Sequence, residues 1–82
     1  MTEKTLTDFL KLVYERQNAL RPTAGNEYAR RCLNESAQLL EKAIRDLKDL
    51  SKDRTPINAD IVRALMLAAE GGVYGEKKEN GG

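Results

Sequence analysis

Any chemistry in this 82-residue chain must come from a short set of side chains: one cysteine, three tyrosines, fourteen basic and thirteen acidic residues, and no histidine. Without histidine the usual general base at neutral pH is missing, and nothing in the sequence marks an activator for Cys32 or for a serine as a nucleophile. Cys32 has no second thiol for an intramolecular disulfide and no imidazole with which to share a metal. Its position predicts a small apolar residue buried beside a helix seam. The carboxylates fare no better. Metal-dependent nucleotide hydrolysis on a helical bundle needs acids stacked at helical spacing toward one cavity, and Glu27, Glu35 and Glu41 follow one another at eight and six residues, which does not align them. No phosphate loop, dinucleotide fingerprint, calcium loop or zinc spacing occurs. The expectation is a chain that is not an enzyme and takes no cofactor and no metal.

Binding chemistry has one candidate location. Arg21-Pro22-Thr23-Ala24-Gly25-Asn26 has loop chemistry and leads into a helix, with Arg30 and Arg31 one turn further on. Free amides at a helix N-terminus, joined by arginines, suit a phosphate, and an aromatic ring offers a base a stacking surface. Thr23, Arg30, Arg31 and Tyr14 are therefore the candidate residues for a phosphorylated ligand such as a nucleotide or cyclic nucleotide, with Tyr28 as a further stacking ring. The competing expectation is an ordinary inter-helix loop, in which Arg31 pairs with Glu27 and Arg30 is solvated.

Charge argues against larger anions. The formal net charge is +1, and residues 26 to 55 mix seven basic with six acidic side chains, so no field gathers DNA, RNA or an anionic membrane. A DNA-reading helix is not evident, because the third helical segment carries a single basic residue, Arg63, in its interior. The first dozen residues alternate charged and apolar types without a leader-like apolar core, and no apolar run reaches the roughly 18 residues of a membrane span. A cytoplasmic protein is the expectation.

The elements that would position these residues read as helices throughout. Leu6, Phe9, Leu10, Val13, Tyr14 and Leu20 share one face of a first helix, with Thr5 as its expected cap and Arg21-Pro22 as its stop. Ala29, Leu33, Ser36, Leu40, Ala43, Leu47 and Leu50 alternate steps of four and three without a break, the seam of an antiparallel helical pair. Cys32, Ala37, Leu39 and Ile44 widen that seam. After the polar connector Ser51-Lys52-Asp53-Arg54, Thr55-Pro56 reads as a cap and first helical residue. Ile57, Ile61, Ala64, Leu65, Ala68 and Ala69 then form an inner face, and Gly71-Gly72 supply a left-handed stop.

The predicted fold is all-α: a small three-helix up-down-up bundle with a long central helix, completed by dimerisation. It forms a single domain over residues 1–74, with helices at about 5–20, 26–50 and 56–70, and a disordered tail over 75–82. Val62 and Met66 fall off the inner stripe of the third helix. With Leu33, Leu40 and Leu47 they are the expected interface residues of a homodimer joined through the second and third helices. In size and helicity the chain resembles the small accessory inhibitors of phages and mobile elements, and equally small chaperone or adaptor subunits; that likeness is one of style and assigns no residue a role. The function expected from the residues is that of an adaptor or inhibitor that binds a larger protein partner. The alternative is a binder of a phosphorylated ligand.

Overall fold

A computed structural model of the chain describes residues 2–73; Tyr74 and the tail expected over 75–82 lie outside them. Three α-helices, α1 (Glu3–Ala19), α2 (Glu27–Leu47) and α3 (Arg54–Glu70), form an up-down-up bundle with no strand among the described residues. Side-chain contacts that run in opposite order along each pair fix the antiparallel directions. Between α1 and α2, Glu3 meets Lys48, Tyr14 meets Glu41, and Leu20 meets Arg30. Between α2 and α3, Tyr28 meets Glu70, Ser36 meets Ala64, and Lys42 meets Asp60.

Three helix ends differ from expectation, each for an identifiable cause. α1 begins one turn earlier than its predicted cap: the Thr2 hydroxyl accepts from the Thr5 amide at 3.2 Å, so Thr5 lies inside the helix. α3 is capped by Asp53, whose carboxylate accepts from Thr55 N at 3.3 Å. Pro56 consequently sits third in the helix, still within the first turn, where a missing N–H leaves no intrahelical bond unmade. α2 stops at Leu47 instead of running to residue 50, because Asp49 accepts from both the amide and the hydroxyl of Ser51 and turns the chain. Leu50, expected in the seam, is 97% exposed as a result.

Past α3 the chain closes as foreseen, with a division of labour between the glycines. Gly72 holds the left-handed position (φ 91). Its amide bonds Ala69 O and that of Val73 bonds Ala68 O, both at 3.0 Å, the paired closure of a Schellman motif. Gly71 keeps helix-like torsions and is needed for space: a Cβ there would lie 2.5 Å from Leu33 Cγ.

Leu6, Phe9 and Val13 of α1, Leu33, Ala37, Leu40 and Ala43 of α2, and Ile57, Ile61, Ala64 and Ala68 of α3 make one core. The seam on α2 is buried from Leu33 through Ala43, with Leu47 half-buried. Its one polar member, Ser36, is fully buried and donates to Ala64 O at 2.8 Å. The bond satisfies the hydroxyl and shows how closely the alanine face of α3 approaches α2. Ala69, assigned above to that inner face, is exposed instead, as is Tyr14 on α1. No helix among the described residues is long and apolar enough to cross a membrane.

Candidate functional site

Two places were candidates on sequence: the loop between α1 and α2, and the interface residues on α2 and α3. The loop is tightly self-bonded. Ala24–Asn26 forms a 3-10 turn in which Asn26 N bonds Thr23 O at 3.0 Å and the Glu27 amide bonds Ala24 O. The Asn26 side-chain amide adds a bond to Arg21 O at 3.1 Å. Pro22, Thr23, Ala24, Glu27 and Arg30 line an open hollow of about 330 Å³ beside it.

The cation that lines this hollow is engaged within the chain. Arg30 was expected in solvent or on a phosphate, yet its Nη1 donates to Leu20 O at 2.7 Å and Gln17 O at 3.3 Å. It thus caps the last carbonyls of α1, a role in which a cation also complements the helix dipole. Two amides at the entry to α2 are already used by the 3-10 turn, and Glu27, an acidic residue, is among those lining the hollow. Arg31 is exposed, and among the described residues no ion pair joins it to Glu27.

Tyr14 is elsewhere. Its hydroxyl donates to Glu41, which lies fourteen residues beyond Glu27 on α2, or about 21 Å at the helical rise. That bond, then burial and the charge of the same carboxylate, raise the Tyr14 pKa above its usual value. Thr23, Arg30, Arg31 and Tyr14 therefore do not form one site.

Tyr28 donates to Glu70 Oε1 at 3.1 Å and so ties α2 to the end of α3. The neighbouring Cys32 thiol, and after it the Glu70 carboxylate, push its pKa up to about 12. Cys32 itself is buried, as expected of an apolar packing residue. Among the described residues no group of three acidic or thiol side chains converges as a metal site would require.

The expected interface residues divide into two groups. Leu33 and Leu40 are fully buried in the chain's own core and Leu47 is half-buried, so the α2 seam serves the fold and offers a partner little surface. Leu33 and Leu40 thus have a core role within the chain. The cause is that α1 and α3 both pack against α2 and cover its broad apolar face.

Val62 and Met66 are different: they are 55% and 64% exposed. Met66 lies two residues from both Ala64 and Ala68, a rotation of about 200° on a helix, so it points away from the core they enter. Ala59, Val62, Met66 and Ala69, spaced three and four apart and all exposed, make a ridge along the outer side of α3.

Charge distribution isolates this ridge. The charged residues of α3 beyond its first turn are Asp60, Arg63 and Glu70, and each meets a residue of α2: Lys42 at 3.1 Å, Glu35 at 4.0 Å and Tyr28 at 3.1 Å respectively. All three therefore lie on the flank toward α2, leaving the outer ridge uncharged. The sequence carried a signal for this surface, since Ala64-Leu65-Met66-Leu67-Ala68-Ala69 is six apolar residues in a row. Such a run covers the whole circumference of a helix, whereas α3 has only one side in the core.

Comparison with protein-family models, curated proteins and solved structures finds no match, which leaves the geometry of the chain itself as the guide to its function.

Proposed function

We propose that this chain is a non-catalytic helical interaction module, an adaptor or inhibitor, and that the outer ridge of α3 is its working surface. The observation that carries this is the exposed, uncharged line Ala59–Val62–Met66–Ala69 on a helix whose opposite side already fills the core. An exposed apolar ridge beside a polar rim is the usual form of a protein contact surface. Its fitting partner is a protein that presents an apolar helix or groove of similar length.

The test is capture from the source cell with the purified chain and with a Val62→Asp, Met66→Asp double variant. Both substitutions fall on exposed positions, so the variant is expected to keep the parent's helical fold and to lose the partner the parent retains. Equal retention by both chains would refute the assignment. The alternative, a phosphorylated ligand at the α1–α2 loop, has the hollow beside Arg30 as its support. It predicts a thermal shift with nucleotides or cyclic dinucleotides, because a ligand at a hundred times its dissociation constant adds about 2.7 kcal/mol. With Arg30 committed to the end of α1, no shift is the expected result.

A further inference from the structure

We infer that the α3 ridge is covered by a second copy of this chain, its α3 antiparallel to the first about a two-fold axis that passes between Met66 and Leu67. The inference rests on the reading of that ridge as a contact surface, and charge complementarity chooses the occupant. In a two-fold antiparallel helix pair each flank meets the same flank of the other copy. Arg63 and Glu70 occupy one flank of α3, the side toward α2, and are seven residues apart. An axis midway between them sets Arg63 of one copy opposite Glu70 of the other, and the symmetry makes the pair twice.

The same axis position interlocks the apolar residues. It brings Met66 of both copies to the centre. It also sets Ala69 of each copy level with the gap between Val62 and Met66 of the other, so that the small side chain makes room for the two larger ones. No charge interrupts the line, because Asp60 also lies on the α2 flank, at Lys42. A formal net charge of +1 per chain offers no long-range repulsion to the pairing.

Sedimentation equilibrium of the full chain across micromolar to submillimolar concentrations tests this, with circular-dichroism melts to confirm that each variant is folded. The parent is expected to dimerise, and Val62→Asp with Met66→Asp to stay monomeric throughout. Arg63→Glu turns two attractions into two repulsions and is expected to weaken the dimer roughly tenfold. Arg63→Glu with Glu70→Arg restores the complementarity and should return the dissociation constant to within about threefold of the parent's, an outcome that general destabilisation would not give.

A monomer at every concentration overturns the inference, as does a dimer indifferent to the ridge substitutions or not rescued by the exchange. A monomeric parent whose ridge variant still loses the captured partner would leave the interaction module standing without the dimer. A monomeric parent whose capture ignores the ridge would remove both.

Discussion

Replacing Gly71 with alanine should destabilise the chain through a collision and not through backbone strain, and the two causes can be separated. With φ −81 and ψ 0 the position is open to any L-residue. Alanine would by itself favour the fold by about 0.4–1 kcal/mol, because it narrows the unfolded ensemble. Against that, its methyl would stand 2.5 Å from Leu33 Cγ, 2.6 Å from Leu33 Cδ2 and 3.2 Å from Ala29 O. Leu33 is fully buried, and the atom met first is its branch point Cγ, so relief requires the whole side chain to move. Overpacking of this kind costs about 1–3 kcal/mol. The net loss is then roughly 1–2 kcal/mol, a fall in Tm of about 5–15 °C for a domain this small.

The decisive assay is a double-mutant cycle by thermal and urea denaturation at one fixed protein concentration. In a Leu33→Ala background the colliding atoms are gone, so Gly71→Ala should change from destabilising to neutral or stabilising. A Gly71→Ala chain as stable as the parent, or one with the same loss in both backgrounds, would refute the close packing of α3's end on α2.

Three further outcomes follow from the same contacts. Gly72→Ala should cost about 1–2 kcal/mol in the parent and in the Leu33→Ala chain alike, since its left-handed φ of 91 is the cause; denaturation melts in the two backgrounds would show it. Arg30→Met should lower stability by about 1–2 kcal/mol in urea melts by uncapping the Gln17 and Leu20 carbonyls, and an unchanged midpoint would remove that role. In alkali, the ultraviolet absorbance of the native chain should show Tyr14 ionising later than the tyrosines of the urea-denatured chain, and Tyr28 only near pH 12. The folded state holds these protons more tightly, so the associated stability is present below a pH of about 10 and is lost as pH rises through the folded values. Coincident native and denatured titrations would contradict both hydrogen bonds.

Regular repetition made much of the bundle legible in the residues. The four-three rhythm on α2 predicted its burial correctly from Leu33 through Ala43, and in part at Leu47, because successive positions vote for one face. It failed at Leu50, where the local bonds of Asp49 and Ser51 outweigh one more apolar step. Helix starts were misplaced for a related reason: Thr2 against Thr5, and Asp53 against Thr55, are choices between good caps that differ by a few tenths of a kcal/mol.

The proposed contact surface was half legible. Val62 and Met66 stood off the inner stripe on spacing alone, whereas Leu33 and Leu40 could not be assigned to the chain's own core until the positions of α1 and α3 were known. The contacts of Arg30 were not legible because its partners are carbonyls at the end of another helix, and no local pattern marks which arginine will reach them. Gly71 was read as a stop signal together with Gly72, since spacing does not distinguish a glycine that turns the chain from one that makes room for a leucine.

The claim that the outer side of α3 is where this molecule works is tested most directly by placing a photo-reactive side chain at position 66 and, separately, at the exposed position 34 of α2, then irradiating in the source cell. The account predicts a covalent adduct of defined mass from position 66, whether with a second copy or a larger protein, and none from position 34. Adducts from both positions in equal yield, or none from position 66, would contradict it.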